Sequence, residues 1–426
     1  MNTKNIPGPS AKIPIERPDL CDQKSPKELR VVQLTGDPNM PCAHVYMEAQ
    51  IFSPDSKRFL FERSGNAHDP VKNDPEHRYM LCNLEDQCRI IPITDELNAI
   101  APSFGPDGQF IYYLVDNSLA TAGTVELKRV RPDRSERERL CVISPETSHD
   151  FLLRFLYSLS TISSDGQRLA TAACVIDRKS GEETWGIVVF DLEAGTPKII
   201  WKDPALRNAH PQYCRSQQTE LAHDLLIQHN HGYRWDTKTC LEITRQLDPL
   251  KIDIHLIRDD GTNLRSMPWG RDGKEFCQGH QCWRGMSHWA ITSTQTYFPE
   301  RMEAQLIETR PVPEAGHKGL NSPGAVRNDL SRAFPNPQFH HFGTDRSGTK
   351  MISDYWLKQN THLYLIELGE AGREAAKRFQ YLLDTKTSFQ KQTQAHPFLS
   401  PDGKRAFFNS DETGIMQVYM LENLPF

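Results

Sequence analysis

Ser400-Pro401-Asp402-Gly403-Lys404-Arg405 runs directly into Ala406-Phe407-Phe408. Pro pre-sets φ for the first corner of a turn, Asp caps it, and Gly takes a left-handed position at no steric cost. An apolar β-type run on the far side makes the whole stretch a hairpin. The same pattern recurs upstream. Ser53-Pro54-Asp55-Ser56-Lys57-Arg58 leads into Phe59-Leu60-Phe61, and Gly105-Pro106-Asp107-Gly108-Gln109 into Phe110-Ile111-Tyr112-Tyr113. Ser164-Asp165-Gly166-Gln167-Arg168 leads into Leu169-Ala170-Thr171, and Thr344-Asp345-Arg346-Ser347-Gly348 into Thr349-Lys350-Met351-Ile352.

The spacing selects the architecture. Asp55 and Asp107 are 52 residues apart, Asp107 and Asp165 are 58, and Gly348 and Gly403 are 55. The 182 residues between Gly166 and Gly348 hold three further steps, two of them through degenerate units. Those units fall at His210-Pro211-Gln212-Tyr213 and Gly279-His280-Gln281-Cys282-Trp283. A period of about 40–60 residues with four strands per unit is the signature of a propeller. The expected fold is therefore an all-β, seven-bladed β-propeller in a single domain over residues 29–426, with residues 1–28 as an N-terminal arm. A two-sheet sandwich is the competing architecture. Closure of the ring is expected from Arg30 to Thr35 pairing beside Gln417 to Met420. The best helical candidate is Glu367 to Leu383.

Composition bounds the function. The chain has 426 residues, 38% apolar and 25% charged, with a formal charge of −5. That excludes a disordered or collagen-like chain and carries no basic footprint for nucleic acid. No run of 18 apolar residues is present, so no spanning helix and no membrane partner are expected. Met1 to Lys24 is polar and proline-rich without an apolar core, so no secretory signal is expected and the location is read as cytoplasmic. The ten cysteines form no CxxC pair, which suits free thiols in a reducing compartment.

Histidine is unevenly spread, with twelve of sixteen after residue 200. In a propeller, residues of successive blades converge on a central channel, and convergent imidazoles beside an amide or carboxylate suit a divalent transition metal. GxSxG, P-loop, GxGxxG and HExxH motifs are all absent.

The order of these motifs resembles the oligogalacturonate lyases, seven-bladed propeller enzymes of pectin breakdown, from about Arg30 to the end of the chain. Gln33-Leu34-Thr35, His44-Val45-Tyr46 and Phe52-Ser53-Pro54-Asp55 are similar to the family's first blade. His210-Pro211-Gln212-Tyr213 and Gln228-His229-Asn230-His231-Gly232 resemble its middle, and Ile257 to Arg265 the strand and turn that follow. Gly279 to Trp283, His341 with Asp345 and Gly348, and His396 to Gly403 with Ser410 to Gly414 resemble its later blades.

The resemblance implies metal-assisted β-elimination on short uronate-containing oligosaccharides. His280 falls on the general base, with Arg258 as a candidate catalytic cation. His341 and His396 fall on metal ligands, with Gln394 and Gln392 completing the set. The implied metal is Mn2+, with Ca2+ or Zn2+ as alternatives. His229, His231, Arg215 and Trp283 are candidate substrate contacts. His44, Tyr46 and His210 read as structural. Two positions depart from the family: Gln394 stands where an imidazole is expected, and Asp253 where a catalytic Arg is expected. The implied partner is an acidic oligosaccharide, bound by a monomer or homodimer. The alternatives are a non-catalytic binding or scaffold propeller, and a lyase for another uronate glycan that works without a catalytic metal.

Overall fold

A computed structural model describes residues 14–63, 77–119, 123–244, 252–269, 275–297, 301–311, 326–357, 360–388 and 393–426. The described strands form seven blades, five of four strands and two, blades 3 and 7, of five, together with one small ribbon. Blade 1 runs from Cys42–His44 to Arg89–Pro92, and blade 2 from Ala99–Phe104 to Arg137–Ile143. In blade 3, Phe151–Arg154 and Thr161–Ile162 share the innermost position, and Thr196–Lys202 is outermost. Blade 4 orders Gln212–Tyr213, Asp224–Asn230, Ile252–Arg258 and Arg265–Ser266. Blade 5 runs from Glu275–Trp283 to Val326–Asp329, and blade 6 from Phe339–Thr344 to Arg378–Asp384. Blade 7 holds Phe398–Leu399, Ala406–Ser410 and Gln417–Glu422.

The ring closes through the N-terminal segment. Arg30–Gln33 pairs antiparallel with Gln417–Glu422, setting Val31 opposite Leu421 and Val32 opposite Met420. Ile15–Glu16 adds a short fifth strand against Gln33 and Val32. The described part of the arm is thus pinned to blade 7, where Leu20 is buried beside Leu29 and Val31.

The Ser-Pro-Asp turns fold as their chemistry dictates. Ser53 Oγ donates to Asp55 at 2.6 Å and accepts the Arg58 N–H at 3.0 Å. Ser400 repeats this with Asp402 and Arg405 at 2.6 and 3.0 Å. Each turn also seats on the next blade. A Cβ added to Gly108 (φ 71°) would lie 2.8 Å from Pro54, and one added to Gly166 (φ 76°) 3.3 Å from Pro106. A side chain at either glycine would meet both steric crowding and left-handed backbone strain. The ring of turns closes where Asp402 N donates to Ser56 Oγ at 3.1 Å.

Between the blades the sheets are covered on both faces. Arg168–Asp177 is buried along seven consecutive residues, and its Ala170, Ala172 and Ala173 let neighbouring sheets approach. Glu367 to Leu383, read from sequence as the best helical stretch, is a strand, a turn and a strand. Thr361–Glu367 and Arg378–Asp384 pair in one blade. The helix-favouring Glu, Ala and Arg of that stretch sit in the turn, so ladder pairing overrides local propensity.

Candidate active site

One backbone rule brings the central imidazoles together. The innermost strand of each blade ends in a turn whose first residue donates its N–H across the hairpin. These donors are Cys214 to Asp224 in blade 4, Arg284 to Trp289 in blade 5, Asp345 to Lys350 in blade 6 and Ser400 to Arg405 in blade 7. Counting back four residues from each donor gives His210, His280, His341 and His396. The same position holds Ala49, Ala101 and Leu159 in blades 1, 2 and 3. Four consecutive blades therefore present an imidazole at one level of the channel, opposite three apolar positions.

The rings are in contact. His280 and His341 have centroids 4.2 Å apart, and His341 and His396 4.3 Å. Tyr46 of blade 1 enters from the other side, with its ring 5.0 Å from His396, 5.3 Å from His210 and 6.5 Å from His341. Two of these histidines occupy left-handed backbone, His210 at φ 44° and His396 at φ 42°. Ala101, at the equivalent position of blade 2, has φ 56°, so this left-handed backbone belongs to the blade rather than to the imidazole.

Carboxylates hold two of the rings. His341 Nδ1 lies 2.8 Å from Asp354 Oδ2, and the His341 backbone N–H donates to Asp354 Oδ1 at 2.7 Å. Asp354 is fully buried. Burial alone would raise its pKa, but His341 and the hydrogen bonds it supplies bring the carboxyl below its usual value. His210 Nδ1 lies 3.1 Å from Glu48 Oε2, while burial pushes the Glu48 carboxyl upward.

Elsewhere in the cluster burial disfavours the charged forms. Burial, reinforced by His341 and His340, holds the His280 pKa well below that of a free imidazole. Burial takes His44 down to about 3 and His340 to about 4. His340 stacks on Trp356 at 3.8 Å, and the His341 ring lies 5.4 Å from the same indole, at the bulge between Phe339 and Phe342. His44 packs edge-on against Phe398 at 4.5 Å. Burial holds the Tyr46 phenol well above its ordinary pKa.

The remaining sequence-derived candidates fall in three places. Gln394 stands two residues before His396 and is partly exposed, while Gln390 and Gln392 lie outside the described residues. Arg215 donates to the Glu48 carbonyl at 3.3 Å, and burial lowers its pKa to about 10. It lines a cavity of about 320 Å³ with Glu48, Gln212, Cys282 and Trp283, at the end of the channel ringed by Pro54, Pro106, Asp345 and Pro401. Trp283 donates to the Gln212 carbonyl at 3.1 Å and stacks on His288 at 5.5 Å. Arg258 sits apart from the imidazoles. It donates to the Glu220 carbonyl at 2.6 Å and lies 3.6 Å from Asp224. His229 and His231 also stand apart, grouped with His255 between blades 3 and 4, with ligand atoms all within 4.8 Å of one another. Sequence reading took Tyr46 and His210 as structural and did not single out Glu48 or Asp354. The four-residue offset from each turn was the signal that joins His210 to the other three.

Two solved structures match this architecture closely. An oligogalacturonate lyase in complex with manganese aligns with a TM-score of 0.66 at 18% identity, over 94% of this chain and 95% of its own. An oligogalacturonate lyase from Vibrio parahaemolyticus aligns equally, with the same score, identity and coverage. The chain has the fold of the oligogalacturonate lyases. No protein-family profile matches the sequence, and no curated protein matches it significantly. At 18% identity the likeness extends to the seven-bladed ring, and the chemistry must be argued from this chain's own residues. Among the described residues, no helix is long and apolar enough to cross a membrane. All ten cysteines are free thiols.

Proposed function

We propose that the chain is a lyase that cleaves short uronate-containing oligosaccharides by metal-assisted β-elimination. The observation that carries this reading is the row of four imidazoles at one level of the channel, with His341 fixed by Asp354. The resemblance of the chain to enzymes of this class supports it.

The reaction removes the proton at C5 of a uronic acid, next to the carboxylate. The C5–H electrons become the C4=C5 double bond, and the C4–O4 bond breaks to release the other sugar. A base must take the proton while the charge that develops on the carboxylate is stabilised. His280 is suited to the first task. It is neutral, and Ser293 Oγ lies 3.4 Å from Nδ1, which leaves Nε2 for the substrate proton. An anionic carboxylate bound beside it opposes the effect of burial and strengthens it as a base.

The donor set near His280 fits a divalent cation. With Nδ1 of His341 turned to Asp354, its Nε2 is the ligand nitrogen. His396 stands next to it, and Gln394 adds an amide oxygen on the same segment. A buried carboxylate behind a ligating imidazole is the usual second layer of a metal site. When bound there, the cation neutralises the uronate carboxylate and so acidifies C5. Tyr46, kept protonated by burial, can supply the proton to the departing O4. Asp253, where the family carries Arg, stands instead beside His231 and His255.

Elimination creates a conjugated unsaturated uronide, so near-ultraviolet absorbance reads the reaction directly. Short oligogalacturonates are incubated with the full chain, with added Mn2+ and again with a chelator. The expected result is a rise that the chelator abolishes and that His280→Ala lowers by about 10²–10⁴-fold. A flat trace with metal bound sends the search to other acidic glycans. A rise indifferent to the chelator points to a metal-free uronate lyase. A flat trace with no metal bound overturns the enzyme in favour of a binding propeller.

A further inference from the structure

Blade 4 carries a second cluster of histidines whose geometry the reaction above does not use. His229 and His231 are two residues apart, so they share one face of the chain at the end of Asp224–Asn230. The neighbouring strand sets Asp253 opposite His229 and His255 opposite Ile227. Residues directly opposite in an antiparallel pair share a face, so all four side chains stand on the side toward blade 3. Gln228, which points the other way, meets Gly279 of blade 5 instead. Blade 3 closes the site with Asp203, whose Oδ1 lies 2.9 Å from His229 Nε2, and with Trp201, whose ring is 5.3 Å from both His229 and His255.

We propose that His229, His231 and His255, with Asp253 as the carboxylate, form a binding site for a zinc-class divalent metal, distinct from the central cluster. The ligand atoms of the three imidazoles already lie within 4.8 Å of one another. Ligands about 2.0–2.1 Å from a tetrahedral ion sit about 3.3 Å apart, so modest side-chain movements close the set. Asp253 Oδ2 is 2.9 Å from His255 Nε2 and 3.7 Å from His231 Nε2, distances that bracket that spacing. Ser266 Oγ lies 3.3 Å from His255 Nδ1, which leaves Nε2 as the ligand atom. Asp253 is fully buried beside these imidazoles, and a carboxylate oxygen is an ordinary ligand for such an ion. Three imidazoles and one carboxylate select zinc, or cobalt in its place, over calcium or magnesium. Asp203, carried by blade 3, is available as a further oxygen donor, so the ion would tie two blades together.

The test uses the metal-free full-length chain titrated with Co2+ alone and, separately, with Zn2+ alone. The expected result is the intense visible absorption of tetrahedral cobalt at one equivalent in the wild-type chain and in His341→Ala. His255→Ala is expected to lose the band and to bind Zn2+ at least tenfold more weakly. His255→Gln is the second variant should the alanine form fail to fold. No tetrahedral band in the wild-type chain overturns the proposal. So does a band that survives in His255→Ala or disappears in His341→Ala, because the ion would then belong to the central cluster. Failure of the lyase reading is seen separately, in uronide absorbance.

Discussion

Asp354 grips His341 twice, with one carboxylate oxygen on the backbone N–H at 2.7 Å and the other on ring Nδ1 at 2.8 Å. The grip fixes both the tautomer and the direction of the ring, so that Nε2 faces the cluster. Asp354→Asn keeps the shape but can present its amide N–H to Nδ1, which favours the wrong tautomer. The expected outcome is a 10–100-fold loss of metal affinity or activity with little change in thermal stability. The measurement is the Mn2+ concentration at half-maximal uronide formation, compared with a melting curve. An unchanged metal requirement would separate Asp354 from the metal.

Tyr46 touches three imidazoles from blade 1 and is buried with its phenol protonated. Tyr46→Phe keeps the ring and removes the hydroxyl. If that hydroxyl delivers the proton to O4, kcat falls tenfold or more while KM stays within about twofold. Substrates whose leaving group is already a good one should lose less. An equal loss on all leaving groups would assign Tyr46 to packing alone.

The ring of blades could be read from the sequence because each turn carries its own chemistry. Ser, Pro, Asp and Gly at fixed offsets report a hairpin without any knowledge of partners. His280, His341 and His396 were singled out through family resemblance, and the structure places them side by side. Three kinds of residue could not be read that way. Asp354 lies on the strand next to His341, and the bulge between Phe339 and Phe342 hides the register that pairs them. Glu48 and His210 come from blades 1 and 4, and only ring closure brings them within 3.1 Å. Arg258 was favoured by its charge, yet it stands at the end of its strand away from His229, where Asp224 holds it. Strand direction, which the composition of a segment does not encode, decides that placement.

Gly279 precedes His280 and sits at φ 91°, where a Cβ would lie 2.9 Å from the Gln228 side chain. Gly279→Ala therefore meets left-handed strain and a clash next to the proposed base. The expected outcome is about 1–3 kcal/mol of lost stability together with lower kcat. Shortening Gln228 to Ala in the same chain relieves the clash but not the backbone strain. The double variant should thus regain only part of the stability, read by denaturant unfolding. Full recovery would show that the left-handed conformation costs nothing here.

Arg284 and Glu308 form an ion pair of 2.5 Å in blade 5, with Glu308 fully buried and Arg284 nearly so. The guanidinium also donates to the carbonyls of Gly348, at 2.8 Å, and Gly369 in blade 6. Glu308 in turn accepts the Gly372 N–H at 2.8 Å. The pair thus fastens two blades only four residues along the chain from His280, but the hydrogen bonds of Glu308 go to Arg284, Asn328 and Gly372 rather than to an imidazole. Removing one partner strands a buried charge, which costs about 3–5 kcal/mol. Glu308→Ala should lower the unfolding free energy by that amount, while Arg284→Met with Glu308→Leu together should cost far less. At temperatures where the Ala variant remains folded, its uronide formation should match the wild type. A stability change under about 1 kcal/mol in Glu308→Ala would mean that water reaches Arg284 and solvates it, and that the blades are held together by apolar packing alone.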